Sequence, residues 1–125
     1  MEENEAKPLK LEDLEIYNLA MEVGELAWGM VSSWEYQNRT HPGNQFIRAA
    51  DSIAANIAEG HGRFFFKEKR QFTLYSRGSL LETKTWLVKS LSRKLVSEKQ
   101  YQELMEKLKT LHFKINSYLK TFKGK

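Results

Sequence analysis

The chain has 125 residues, a formal net charge of +4 and no cysteine, which sets a single domain able to bury a core and excludes disulfides, a thiol nucleophile and a cysteine metal site. Its opening, MEENEAKPLK, is acidic and polar, unlike a secretory leader, and no apolar run nears the ~20 residues that span a bilayer, so a cytoplasmic chain without membrane contact is expected. The charge is segregated: residues 1–35 carry nine acids and two lysines, residues 36–82 seven bases and four acids, and residues 83–125 eleven bases and three acids.

Apolar residues recur at helical spacing almost throughout, and no long segment alternates with period two. Residues 1–10 read as a flexible N-terminal tail. The first helix is expected over about 11–33, where Ile16, Leu19, Ala20, Val23, Leu26, Ala27 and Met30 make one stripe. Glu12, Asp13 and Glu15 fall in its first turn, where carboxylates suit the helix dipole. The stretch WEYQNRTHPG breaks the pattern and reads as a loop.

The second helix is expected over about 44–59, with Gly60 just past its end as a left-handed cap. At about 100° per residue, Arg48, Ser52, Asn56 and Glu59 fall on one side, and Arg63 would join them if the helix continued. Phe46, Ala50, Ile53 and Ile57 lie nearly opposite. An ordinary wet face is rich in Lys and Glu, whereas Ser and Asn compete for backbone groups and form helices poorly. Ala49, Ala54, Ala55 and Ala58 also keep this helix thin. The polar row is therefore a solvated face, a hydrogen-bonded seam against another helix or subunit, or a ligand site.

The third helix is expected over about 67–95. Phe72, Tyr75, Ser79, Leu80, Thr83, Trp86 and Leu87 supply a wide face toward the core. Leu74, Leu81, Val88 and Leu95 repeat every seven residues on another side. A surface helix in a monomer needs one apolar stripe, so the second means a deeply buried helix or a seam between subunits. Since every helix of a four-helix bundle normally has a wet side, the seam is favoured. Gly78 fits such a contact, since glycine inside a helix costs about 1 kcal/mol relative to alanine and calls for a packing reason. The fourth helix is expected over about 98–122, opened by a capping box of Ser97 and Gln100. One side carries Leu104, Leu108, Leu111, Ile115 and Leu119, and the other is mostly lysine. Residues 123–125 form a short basic tail. Four such helices on short connections imply an all-α fold, an antiparallel up-down four-helix bundle within residues 11–122, and an oligomeric one.

The string FIRAADSIAANIAEGHGR followed by FTLYSRGSLLETKTWL resembles the four-helix-bundle proteins encoded in bacterial 23S rRNA intervening sequences. The matching positions are Arg48 and Ala49, Ser52 and Ile53, Asn56 to Gly60, Arg63, then Gly78, Ser79 and Glu82. LEDLEIYNLAMEVGELAW is similar to that family's opening helix, and the likeness spans roughly residues 11–120. The FFF after Arg63 departs from the pattern. The resemblance implies a homopentamer and a relationship to the accessory protein of diversity-generating retroelements, which binds nucleic acid and a reverse transcriptase. It assigns no catalysis. It also implies that Arg48, Ser52, Asn56, Glu59, Arg63 and Glu82 form a polar network, with Arg63 pairing to Glu59 or Glu82, and that Leu74, Gly78, Leu81 and Val88 lie between subunits.

Enzymatic and cofactor chemistry finds no foothold in the pattern. His41, His61 and His112 make no His-Glu-x-x-His arrangement. There is no phosphate-cradling glycine loop, no Gly-x-Ser-x-Gly elbow and no dinucleotide fingerprint. His112 sits near the apolar face of the fourth helix and reads as a partly buried, hydrogen-bonded histidine. RFFFKEKRQF interleaves rings with bases, but three consecutive rings fan widely and suit a plug at a bundle end. No metal and no cofactor are expected. Lys89, Arg93, Lys94, Lys107, Lys114, Lys120 and Lys123 are the candidates for phosphate contact, either as a wet basic face or as one binding RNA or DNA. The expected function is a non-catalytic homo-oligomer that binds nucleic acid through pooled basic surfaces. The alternative is a protein-binding scaffold, with a reverse transcriptase-like protein as the kind of partner.

Overall fold

A computed structural model describes residues 9–122. A 3-10 turn at Leu11–Asp13 leads into helix α1, Glu15–Ser32. Extended backbone at Leu14 separates the two, and the buried Leu14 side chain joins the core. Glu12 and Asp13 therefore do not sit in the first turn of α1, as the sequence suggests. Asp13 instead accepts a hydrogen bond from the Lys10 backbone N–H at 3.2 Å.

The expected loop before α2 is largely helical. A single turn at Tyr36–Asn38 runs into a π-helical turn at Arg39–Gly43, which continues into α2, Asn44–His61. Pro42 has no N–H to donate and crowds the preceding turn, and wider winding accommodates it. Gly43 is required by close approach: a Cβ there would lie 2.7 Å from Val31 Cγ1 and 3.0 Å from the Asn38 carbonyl.

Gly60 is not a cap. It lies inside α2, and Gly62 ends the helix. A Cβ at Gly60 would stand 3.0 Å from Phe72 Cβ and 3.2 Å from the Lys69 carbonyl, so its absence lets α2 and α3 converge. Lys69 Nζ then donates to the His61 carbonyl at 3.0 Å, satisfying an end group of α2.

Helix α3 spans Phe66–Ser92 and stops short of the expected residue 95. Lys94 adopts φ 62°, and the Leu95 and Lys94 N–H groups donate to the Ser90 and Leu91 carbonyls. This is a Schellman closure with lysine at the position glycine usually takes. Helix α4 spans Glu98–Lys120. Its capping box forms as the sequence indicates: Gln100 N–H donates to Ser97 Oγ at 3.0 Å, and Ser97 N–H to Gln100 Oε1 at 2.8 Å.

The helices pack as a ring of neighbours, α1–α2, α2–α3, α3–α4 and α4–α1, with α2–α3 the most extensive contact. This is an all-α four-helix bundle. The pairs Lys107–Glu22 and Lys114–Glu15 show α4 running antiparallel to α1, one residue number falling by seven as the other rises. Val23, Phe46, Ile53, Leu80, Leu87, Leu104, Leu108, Leu111 and Ile115 fill the centre. Among the described residues no helix is long and apolar enough to cross a membrane.

The buried side of α3 matches the expected one at Leu80, Thr83 and Leu87 and is rotated away from it elsewhere. It consists of Thr73, Ser76, Leu80, Thr83, Leu87 and Ser90, while Phe72, Ser79 and Trp86 are half-buried and Tyr75 is exposed. Small hydroxyl residues permit the close α2–α3 approach, and three of the four hydroxyls find carbonyl partners. Thr73 and Thr83 donate to the Lys69 and Ser79 carbonyls, each at 2.8 Å. Ser76 Oγ reaches across to the Ile53 carbonyl of α2 at 2.8 Å. Buried hydroxyls need such partners.

Candidate nucleic-acid interface

The polar row on α2 is held mostly by its own helix. Ser52 Oγ donates to the Arg48 carbonyl at 2.7 Å, and Asn56 Nδ2 to the Ser52 carbonyl at 2.9 Å. Arg63 Nη2 donates to Glu59 Oε2 at 2.7 Å, and its guanidinium lies 4.7 Å from the centre of the Phe72 ring. Arg48 and Glu82 are exposed, and neither side chain has an ion-pair partner among the described residues. The six positions therefore do not close into one network within a single chain. Side chains that bond their own preceding turn leave nothing to span the gap.

The second stripe of α3 stands open. Leu81 is 46% and Val88 48% exposed, and Leu74 and Leu95 are half-buried against the core edge. A Cβ placed at Gly78 would meet nothing within 4 Å, so no contact among the described residues accounts for glycine there. On α1, Trp28 is 59% exposed, and Met21, two turns earlier on the same side, is 46% exposed. Of the three consecutive phenylalanines, Phe66 packs with Phe122, ring centres 6.0 Å apart. Phe64 and Phe65 meet edge to face and remain exposed.

The charge segregation resolves into two faces. On the α1–α4 side, Lys107 Nζ meets Glu22 Oε1 and Lys114 Nζ meets Glu15 Oε2, both at 3.1 Å. These two lysines differ from the expected phosphate-contacting set because α1 carboxylates already face them. Lys89, Arg93, Lys94 and Lys120 are exposed without ion pairs among the described residues. Lys123 lies outside the described residues.

The α3–α4 side carries cations that the sequence alone did not single out. A groove of about 650 Å³ between these helices is lined by Arg70, Leu74, Arg77, Phe113, Asn116 and Lys120 among others, with no acidic residue. Arg77 Nη1 donates to Asn116 Oδ1 at 2.8 Å, which places the guanidinium without neutralising it. His112 is half-buried on the same side, and no hydrogen bond to its ring is seen among the described residues, contrary to the expected bonded histidine. Burial first, then Lys84 and Arg77, hold its pKa below the usual histidine value. Arg70, Arg77 and Lys84 recur every seven residues, one ridge over from Leu74, Leu81 and Val88. That spacing was the signal available in the sequence.

A second groove, of about 280 Å³, lies between α1 and α2 over Gly24, Ala54, Ala55 and Ala58, with Glu25 and Asp51 at its rim. Desolvation, then Glu25, raises the Asp51 pKa. Among the described residues no cluster of His, Asp and Glu could hold a metal ion. A basic and aromatic α3–α4 face is the chemical feature that stands out among the described residues.

A crystal structure of a protein of unknown function from the S23 ribosomal protein family of Bacteroides thetaiotaomicron VPI-5482 has a TM-score of 0.78 to this chain. It is 17% identical, and the match covers 84% of this chain and 98% of that one; the likeness is one of fold. No curated protein sequence matches the chain. Residues 12–117 match the family described as 23S rRNA-intervening sequence protein. With nearly the whole bundle matched, the chain belongs to the 23S rRNA-intervening sequence protein family.

Proposed function

We propose that this chain is a non-catalytic, self-associating bundle of the cytoplasm that binds nucleic acid through pooled basic surfaces. The observation that carries this is the division of charge. Acids of α1 face Lys107 and Lys114, so most of the unpaired positive charge gathers on α3, its C-terminal turn and the adjoining side of α4, with Arg39 and Arg48 apart from it. Lys94 adds support. A lysine in the left-handed conformation costs about 1 kcal/mol or more, and such strain concentrates at working positions.

Self-association is supported by Leu81, Val88 and Gly78, which are open to solvent in one copy. Hiding them against a second copy would remove apolar surface from water at about 25 cal/mol per Å². Five copies is the number the family resemblance implies. Repeating a weak cationic patch around such an assembly multiplies avidity without a new contact type.

The exposed Phe64 and Phe65 favour a second reading, a scaffold whose partner is a protein, such as a reverse transcriptase-like enzyme. Titration of structured RNA and duplex DNA against rising salt separates the two. Counterion release predicts a steep, linear loss of log affinity with log salt. Absence of binding at low salt would remove the nucleic-acid reading and leave the scaffold.

A further inference from the structure

We propose that the α3–α4 groove accepts an unpaired nucleotide of a single-stranded nucleic acid, its base against Phe113 and its phosphate among Arg70, Arg77 and Lys120. The proposal rests on the nucleic-acid reading above and narrows it to one site and one strandedness.

Phe113 is 72% exposed on the rim of a groove whose floor includes Leu74 and Leu119. An isolated exposed ring needs no explanation. On its α3 side this ring borders a groove with three cations and no acid. On its α1 side it borders a depression that holds Glu15 and Lys114, where Glu15 is paired with Lys114. The α3 side offers a flat apolar face next to phosphate donors. Single-strand-binding surfaces combine those two elements, and stacking suits any base.

Arg77 is the second element. Of its five N–H donors, one is given to the Asn116 amide oxygen at 2.8 Å. An aspartate at position 116 would hold the guanidinium equally well but cancel its charge. The asparagine holds it in place and leaves the full charge and the other donors to a ligand. Arg70 lies two turns away on the same ridge, and Lys120 lies on the facing helix one turn beyond Asn116. Neither has an ion pair among the described residues. Lys84 extends the ridge, so the cations from Arg70 to Lys84 track about 21 Å of α3 at 1.5 Å per residue.

A duplex keeps its base faces stacked and shows a protein only edges and phosphates. It would engage the cations but not the ring. The strandedness preference is thus the property that separates this site from a merely basic surface.

The test is fluorescence anisotropy with labelled oligouridylate, its deoxy counterpart and a hairpin duplex, in ~50 and ~200 mM salt. It uses the full chain and the variants Phe113→Ala, Phe113→Trp and Arg77→Gln. Phe113 is exposed, so Phe113→Ala should keep the helical circular dichroism of the parent. The expected result is single strands bound in preference to the hairpin, a loss of about tenfold for single strands in Phe113→Ala, and little change for the hairpin. Phe113→Trp should retain the preference. Arg77→Gln should weaken every probe and lower the salt slope by about one phosphate contact. RNA-only or DNA-only binding with the same Phe113 dependence supports the site and names its strand chemistry. Equal losses on single strands and hairpin, or none, overturn the stacking site while the broader nucleic-acid reading survives. No binding of any probe by the parent chain overturns both. A poly-glutamate peptide bound with the same Phe113 dependence would assign the groove to an acidic protein partner instead.

Discussion

Two glycines on adjacent helices should respond to alanine with opposite signs. Gly78 and Gly60 both lie inside helices, so each alanine gains about 1 kcal/mol of helix propensity. At Gly78 the added methyl meets nothing within 4 Å, so the dilute chain keeps that gain, worth about 4 °C in melting temperature for a domain of this size. At Gly60 the methyl lies 3.0 Å from Phe72 Cβ and 3.2 Å from the Lys69 carbonyl. Neither is the free end of a flexible side chain, so α2 and α3 must part. Overpacking of this kind costs about 1–3 kcal/mol, and Gly60→Ala should be net destabilising. Urea unfolding at low protein concentration measures both. Raising the concentration adds the self-contact: Gly78→Ala should shift sedimentation toward smaller species, because the methyl intrudes where a second copy approaches. If Gly60→Ala stabilises the chain as much as Gly78→Ala, the α2–α3 packing derived above is wrong. If Gly78→Ala leaves assembly at high concentration unchanged, glycine 78 is not at the self-contact.

Further substitutions probe other parts of the account. Ser76→Ala removes the hydroxyl that bridges α3 to the Ile53 carbonyl and should cost about 0.5–1.5 kcal/mol in thermal or urea unfolding. Lys94→Gly relieves the left-handed strain and should add about 1 kcal/mol of stability while weakening nucleic-acid binding; a loss of stability would contradict the Schellman closure. His112 has a folded pKa below its ordinary 6.5, so on acidification the unfolded chain takes up the proton first. Its contribution is therefore intact above about pH 6.5 and is lost as pH falls through the folded value. His112→Gln should flatten the acid limb of a stability–pH curve, and an unchanged limb would remove this residue from the account.

The helices were legible because most of them present unbroken apolar stripes, as in Val23, Ala27 and Met30 on α1 or Leu104, Leu108 and Leu111 on α4. The core face of α3 was legible only in part: Leu80, Thr83 and Leu87 are buried where the stripe put them, but Thr73, Ser76 and Ser90 are buried too, and hydrophobic periodicity is blind to buried hydroxyls. The aromatic residues Phe72, Tyr75 and Trp86 drew the expected face to one flank. Pro42 likewise suggested a loop where a π turn carries the chain into α2. The lysines of α4 were visible, but not which of them look toward Glu15 and Glu22. That depends on the α1–α4 register, and no local pattern encodes it. Arg70, Arg77 and Lys84 went unremarked because they are scattered among apolar residues rather than clustered.

The central claim is that phosphate contact belongs to the α3–α4 side and not to the lysines paired with α1. The direct measurement is the salt dependence of RNA binding for two sets of charge-neutral variants: Arg70→Gln, Arg77→Gln, Lys84→Gln and Lys120→Gln combined, against Lys107→Gln and Lys114→Gln combined. The account predicts that the first set abolishes binding at moderate salt and flattens the slope of log affinity against log salt, while the second leaves the slope close to that of the parent. Equal losses in the two sets, or a larger loss in the second, would contradict it.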